Sequence, residues 1–272
     1  MTTIQWHQPG DKVYENGLDR GVLYVDGNDG VAWNGLTSVK EKNTNKMIPV
    51  HWDGIKINDI VVLGSFEGSI SAFTYPDEFY ECEGLIEDQD GVYLAEQRPS
   101  RFGMSYRTLI NNDLGIESGY KLHVLYNLTA RPKEKTRNTL GLQTDLQEFE
   151  WDISSIPEHA EQHHPTAHVI FDSRKIDPWL LTDIEEILYG TDSSSAQLPS
   201  LSALTSFIRK WDRLIINDNG DGTWTAISAE DGIITMLSPT EFEIEADNVV
   251  WLDPPDNTHF EISSSDKNEE DI

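Results

Sequence analysis

The chain has 272 residues, including eight tryptophans and one cysteine, and its formal net charge at pH 7 is −28. This net charge excludes the class of proteins that bind nucleic acid by neutralising its phosphates. A single cysteine excludes an intramolecular disulfide framework and fits folding in a reducing cytoplasm. No apolar run approaches the roughly 20 residues of a membrane helix, and the opening MTTIQWHQPGDKV lacks the regions of a signal peptide.

The charge is distributed unevenly along the chain. Residues 214–272 contain 15 acidic residues and one lysine, a net charge of −14, whereas residues 98–137 contain eight basic and three acidic residues, a net charge of +5. A chain with a basic middle and an acidic end can attract copies of itself head to tail. Chance clustering on a solvated surface is the alternative.

The first half of the chain is predicted to be rich in β-strands. Residues 1–20 are polar and are expected to form an irregular arm. MIPVHWDGIKIND (47–59) predicts two short strands joined at Asp-Gly, a hairpin signal. IVVLGSFEGSISAFTY (60–75) is the longest β-like run, and its glycines Gly64 and Gly68 indicate bulges or close backbone contacts.

The middle of the chain continues the β pattern. RFGMSYRTLI (101–110) and GYKLHVLYNLTA (119–130) predict strands, and in the second Tyr120, Leu122, Val124 and Tyr126 share a face. The connection RPKEKTRNTLGLQTD (131–145) is basic and long, which is typical of a functional or mobile loop. QEFEWDISS (147–155) and AHVIFDSR (167–174) predict two further strands.

Two helices are predicted next. Asp177 is suited to the N-cap, Pro178 to the first helical position and Gly190 to the end of the first helix. The apolar stripes of the two helices predict their buried faces. The residues expected to pack in the core are Leu180, Leu181, Ile184, Ile187, Leu188, Leu204, Phe207 and Ile208.

The remainder predicts a small β-rich unit that begins with a hairpin, RLIIND-NGDG-TWTAIS, and ends in a polar acidic tail. The predicted organisation is an N-terminal arm (1–20), a core (21–211) with helices near 178–189 and 200–211, a β-rich unit (212–262) and a disordered acidic tail (263–272).

The sequence offers few groups for chemistry, and we expect no enzyme, no cofactor site and no metal site. Asp77 and Glu78 are adjacent carboxylates among aromatic residues, but neighbours on an extended chain point apart, so a turn is favoured over an acid/base pair. The histidines of HAEQHHPTAH (159–168) lie between prolines in a segment that opens a strand, which favours a solvated loop over a metal site. No P-loop, dinucleotide fingerprint, HExxH or GxSxG motif occurs.

Several segments in this order resemble the major tail (tail tube) proteins of long-tailed actinobacteriophages, or siphophages. They are WNGLTSVKE (33–41), SISAFTYPDEFYECEG (69–84), RFGMSYRTLINND (101–113), GYKLHVLYNLTARP (119–132), FEWDISS (149–155), PTAHVIFDSRKIDPWLLTDIEEILYGTD (165–192) and LPSLSAL (198–204). GDGTW (220–224) and EFEIEADNVVW (241–251) resemble the C-terminal part of such proteins.

The resemblance implies a mainly β (α+β) subunit, a β-sandwich or barrel flanked by one or two helices, with a long stacking loop and a β-rich C-terminal extension. It also implies hexameric rings stacked into a tail tube, in a virion assembled in the host cytoplasm. The implied partners are further copies of the chain, the tape measure protein, and tail terminator and distal tail proteins, with no membrane. Genomic DNA would pass through the lumen without tight binding, which an electronegative wall favours.

The charge distribution adds candidate contacts between rings. The candidate stacking loop carries Arg131, Lys133, Lys135 and Arg137. The candidate acidic partner surface carries Glu241, Glu243, Glu245 and Asp247. A distal tail, baseplate ring or minor tail protein is the near alternative. A carbohydrate-binding or glycan-cleaving protein that uses Asp77 or Glu78 is the remote one.

Overall fold

The computed structural model describes residues 6–25, 29–42, 44–137, 139, 147–160 and 163–211, together with the backbone of five later strands. The chain divides into two compact units, Met1–Leu204 and Thr205–Ile272. The first unit contains twelve named strands: β1 (Val13–Val25), β2 (Val31–Ala32), β3 (Leu36–Lys42), β4 (Lys46–Trp52), β5 (Ile55–Val62), β6 (Glu67–Ala72), β7 (Ile86–Gln89), β8 (Val92–Leu94), β9 (Phe102–Asn112), β10 (Glu117–Pro132), β11 (Phe149–Ser155) and β12 (His168–Asp172).

The helices are α1 (Pro178–Tyr189) and α2 (Leu201–Lys210). In α1 the side chain of Asp177 accepts a hydrogen bond from the backbone N–H of Trp179 at 2.8 Å, as the predicted N-cap requires. The predicted arm and the predicted unit boundary both differ from the structure. The second half of the arm belongs to β1, and the units divide within α2 after Leu204, whose side chain is buried in the first unit.

Eight strands form one antiparallel sheet in the order β2-β1-β9-β10-β11-β6-β3, with β12 added to β10. β10 pairs with β9 along one edge, and with β12 and then β11 along the other. The register against β9 shifts between Leu125 and Leu128, where Asn127 has the left-handed φ of 51°. This bulge keeps both leucines in one buried cluster although they are three residues apart.

The main core lies on one face of this sheet. Its largest buried members come from β1, β6, β9, β10 and β11, together with Trp33 and Phe79 from the connections: Leu23, Ile70, Phe102, Met104, Tyr106, Leu125, Leu128 and Trp151. The first unit is therefore mainly β, with a core formed by side chains from strands distributed across the sheet.

Helix α1 covers the opposite face. It buries Leu180, Leu181, Ile184 and Leu188, whereas Ile187, and also Phe207 and Ile208 of α2, are half-buried. Tyr24 of β1 donates a hydrogen bond to the Leu188 carbonyl at 2.7 Å, and Tyr120 of β10 donates to Glu185 at 2.8 Å. The face that Tyr120 shares with Leu122, Val124 and Tyr126 is thus the face beneath α1.

The run 60–75, expected to be continuous, is broken into β5 and β6. A Cβ at Gly64 would collide with Thr44, and one at Gly68 would collide with the Lys40 carbonyl. Both glycines therefore mark close approaches, as the sequence predicts. After the break, Ile70 and Ala72 of β6 enter the core and Phe66 packs against it.

The strands of the second unit are described by their backbone alone. Its strands are β13 (Leu214–Asp218), β14 (Trp224–Ser228), β15 (Ile233–Ser238), β16 (Glu241–Glu245) and β17 (Val249–Trp251). β13 and β14 form the predicted antiparallel hairpin, β17 lies parallel to β13, and β15 pairs with β16. The predicted β-rich extension is confirmed.

Candidate functional site

The hairpin of β4 and β5 is the most conspicuous exposed feature of the described residues. Its two strands pair only with each other, and its turn residues Asp53 and Gly54 have φ of 48° and 78°, as the Asp-Gly signal predicts. The side chains of Met47, Trp52 and Ile55 are 72%, 69% and 70% exposed. Further exposed apolar residues on the hairpin are Ile48, Ile57, Ile60, Val61 and Val62.

Both faces of this hairpin are apolar. Met47 is paired with Val61, and the next pair, Ile48 with Ile60, points to the opposite face. An isolated two-stranded hairpin is marginally stable in water, and contiguous exposed apolar surface marks an interaction site. We therefore take the hairpin Lys46–Val62 as the candidate assembly arm.

A smaller hairpin of β7 and β8 repeats this pattern. Its two strands pair only with each other, and Ile86, Val92, Tyr93 and Leu94 are exposed on it. The ring of Tyr93 contacts Tyr80 edge-on, with centroids 5.0 Å apart. That contact ties the smaller hairpin to the turn beside the core and leaves its apolar side chains accessible.

The candidate stacking loop begins at the end of β10. Arg131 pairs in register with Asp152 of β11, and both Arg131 and Arg137 are exposed. Lys133 lies 2.6 Å from Glu150 and 3.3 Å from Asp152, so its charge is already paired within the chain. This pair is exposed and is therefore a weak stabilising contact.

Lys135 is engaged more deeply. Its ammonium group lies 2.6 Å from Glu83, whose side chain is 2% exposed. Trp151 donates a hydrogen bond from its indole to the same carboxylate at 2.9 Å, and Tyr75 donates to it at 3.3 Å. The ammonium also lies 5.4 Å from the ring centroid of Tyr75 and 5.9 Å from that of Trp151. Lys135 therefore stabilises the fold by neutralising the buried Glu83 carboxylate.

Sequence reasoning missed Glu83. The stretch TYPDEFYECEG drew attention to Asp77 and Glu78, but both of these are exposed on a short 3-10 helix, Asp77–Phe79. The buried carboxylate belongs to the next 3-10 helix, Glu81–Glu83, beside Cys82. A charged residue inside a run of aromatic residues with a cysteine was the only local signal.

Cys82 is fully buried. Burial raises the pKa of its thiol to about 12, and the charges of Glu81 and Glu83 add to the increase. At neutral pH the thiol is therefore protonated and a poor nucleophile.

The candidate acidic partner surface lies partly on β16. Glu241, Glu243 and Glu245 occupy alternate positions of this strand. Asp247 lies outside the described residues. The structure therefore places three of these four positions along a single strand.

The histidines do not lie together in one solvated loop, because His168 begins β12. His159, His163 and His164 are exposed. His168 pairs across the sheet with β10, where its Nε2 lies 3.0 Å from Nδ1 of the buried His123. The ring of His123 stacks on Tyr106 with centroids 4.7 Å apart, and its Nε2 lies 3.1 Å from Thr108 Oγ1.

Burial, with a smaller contribution from the neighbouring His168, lowers the pKa of His123 to about 4. Burial likewise lowers the pKa of His168. Both imidazoles are therefore neutral at pH 7.

No protein-family model matches the chain, and no curated protein matches it. Among solved structures, a chain from the sheath/tube terminator of an extracellular contractile injection system, PVC, in the extended state is 12% identical, with a TM-score of 0.29, covering 58% of this chain and 97% of that chain. A chain from the sheath-tube complex of the same system is 14% identical, with a TM-score of 0.32, covering 56% and 88%. A chain from the anti-feeding prophage tube-terminating cap is 12% identical, with a TM-score of 0.30, covering 63% and 95%.

Neither helix of the described residues has both the length and the apolar character needed to cross a lipid bilayer.

Replacing Lys135 by methionine is expected to lower the free energy of unfolding by about 3 kcal/mol, because it leaves the Glu83 carboxylate buried without its cation. Adding Glu83→Gln should recover part of the loss. The matched control Lys133→Met, at an exposed pair, should change little. Urea denaturation of the three variants measures these values, and equal losses for the two lysine variants would contradict a supporting role for Lys135.

The free energy of unfolding should fall as the pH falls from 7 to 4.5. The unfolded chain's histidine takes up a proton near pH 6.5, whereas folded His123, with its pKa near 4, stays neutral. The expected loss from His123 is on the order of 2 kcal/mol. Denaturation of wild type and of His123→Gln in the presence of a chelator measures it, and parallel pH curves would contradict it.

Proposed function

We propose that this chain is a structural, non-enzymatic subunit of a phage-type tail. Copies associate through the candidate assembly arm into closed rings, and the rings stack into the tail tube. The observation that carries the proposal is the arm itself, which projects apolar side chains from both faces of an unpartnered hairpin.

A second copy of the chain is the occupant that best fits the arm. A hairpin without a third strand gains stability by packing against another sheet, and every copy of this mainly β chain supplies one. A heterologous contact of this kind, between different surfaces of identical subunits, closes into a ring when the rotation between copies closes. Six copies to a ring is the number that the sequence resemblance implies.

The charge of the chain supports a conduit for DNA. A net charge of −28 repels phosphate and opposes adhesion of nucleic acid to a wall formed by such subunits. The genome would pass through such a lumen without tight binding, and a tape measure protein would occupy it beforehand. Tail terminator and distal tail proteins would close its two ends in the virion.

Within this proposal, the stacking contact of the basic loop rests on Arg131 and Arg137. Lys133 and Lys135 already have acidic partners in their own chain. The two arginines are exposed. The proposed partner surface on the next ring is the acidic stretch Glu241, Glu243, Glu245 and Asp247.

Trp52→Ser combined with Ile55→Ser should weaken ring formation, because it removes two of the largest exposed apolar side chains of the arm. We expect wild type to form uniform hollow filaments in negative-stain micrographs over a concentration series, and the variant to need at least about tenfold more protein to assemble. Single closed rings from wild type would instead place the chain at a tail end.

The matched control is Leu114→Ser with Ile116→Ser, which alters two residues that are each 58% exposed in the β9–β10 turn. It should assemble as wild type does. At concentrations too low for assembly, all three proteins should share a melting temperature, since the substituted side chains are exposed. Normal filaments from the arm variant would contradict the proposal.

Arg131→Glu combined with Arg137→Glu should permit rings and prevent their stacking, because it reverses the charge offered to the acidic partner surface. Raising the salt concentration should likewise shorten wild-type filaments before it dissolves rings, since exposed ion pairs are screened. Filament lengths in micrographs measure both effects. Filaments of normal length from this variant would exclude the basic loop from stacking.

A further inference from the structure

Three potential ligands meet at one end of the core. Glu41 at the end of β3 reaches His123 of β10 and His168 of β12, and one ligand atom from each residue lies within 4.8 Å of the other two. The carboxylate oxygen Oε1 is 3.5 Å from His123 Nδ1, and the two histidine nitrogens are 3.0 Å apart. These residues belong to three strands, and β3 pairs with neither of the other two.

We propose that Glu41, His123 and His168 bind a divalent transition-metal ion of the zinc class. This inference is independent of the assembly proposed above. Zinc bonds of 2.0–2.1 Å at tetrahedral angles place two ligand atoms about 3.3 Å apart. Two of the three separations, 3.0 and 3.5 Å, bracket this value. The third, between Glu41 and His168, lies within 4.8 Å, so the half-exposed Glu41 carboxylate must move toward His168 for the site to close around an ion. Two imidazoles and a carboxylate leave a fourth position for water.

The neighbours of His123 leave its Nδ1 available. Thr108 donates a hydrogen bond to Glu15 at 3.2 Å, so its oxygen is placed to accept the proton of His123 Nε2 at 3.1 Å. This arrangement fixes the tautomer with a lone pair on Nδ1. His168 would bind through Nε2 after its proton moves to Nδ1, which faces Glu41 Oε2 at 3.9 Å. Because both imidazoles are neutral, neither has to release a proton to the solvent when it binds the ion.

The carboxylate is also held in place. Tyr106 donates a hydrogen bond to Glu41 Oε1 at 2.9 Å and stacks on His123. Burial raises the pKa of Tyr106, and the charge of Glu41 adds to the increase, so the phenol stays a neutral donor. Phe66 packs edge-on against His168 at 5.2 Å.

An ion could enter from the solvent side. The Glu41 side chain is 43% exposed, whereas that of His123 is 5% exposed. The bound ion would tie β3 to β10 and β12 across the core. Because β3 ends four residues before the candidate assembly arm begins, the ion would also fix the base of that arm.

The test is a titration of tag-free, chelator-treated full chain with Zn²⁺, followed by calorimetry and thermal melting. We expect saturation at one Zn²⁺ per chain and a rise in melting temperature. Glu41→Gln, at an exposed position that the fold tolerates, and His168→Gln should each weaken binding at least about tenfold, since even outer partners of a metal site contribute this much. Co²⁺ as a spectroscopic probe should give the intense visible absorption of a tetrahedral site.

The matched controls are Glu78→Gln and His164→Gln, exposed residues outside the cluster. They should bind Zn²⁺ as wild type does, and Ca²⁺ should not compete, because it prefers oxygen ligands. The proposal is overturned if wild type shows no saturable site at one equivalent. It is equally overturned if Glu41→Gln binds as tightly as Glu78→Gln.

Discussion

The pairing of β10 with three other strands is the constraint on which the rest of the first unit depends. β9 follows one edge of β10, and β12 and β11 share the other. Its register therefore decides which side chains lie under α1 and which enter the main core. The bulge at Asn127 resets that alternation, so Leu125 and Leu128 serve the same core. Ahead of the bulge, the same register turns His123 toward Tyr106 and away from α1.

The buried pair of Glu83 and Lys135 is a second organising contact. It joins a 3-10 turn that precedes β7 to the segment that follows β10, and Trp151 of β11 completes its hydrogen bonds. A buried carboxylate is tolerated only when such partners surround it. Within the basic loop, Lys135 thus stabilises the fold, whereas Arg131 and Arg137 face solvent. In the proposed function, these two exposed arginines are the residues that contact the next ring.

The apolar hairpin contrasts with this buried pair, whose charges have partners within the chain. The chain has a net charge of −28, yet β4 and β5 expose large apolar side chains on both faces. Such exposed apolar surface promotes aggregation of a monomer, whereas a subunit that buries it in an assembly gains binding free energy from it. Glu41 of the proposed metal site lies on β3, which ends at Lys42, four residues before this hairpin begins.

The sequence by itself determined the features that depend on residues adjacent in the chain. The caps of α1, the Asp-Gly turn of the hairpin and the alternation in β10 each depend on neighbours in the chain. Gly64 and Gly68 marked close approaches in the sequence, but their contacts, Thr44 and Lys40, lie on a distant part of the chain and were decided by the tertiary structure. Tertiary structure alone decided that residues 13–20 join β1, that Lys135 is used to neutralise Glu83, and that His168 meets His123, 45 residues away. Each of these depends on which distant strand pairs with which and in what register. Local propensity does not encode that choice, because a strand's partner and its buried face are fixed only when the whole sheet closes around its core.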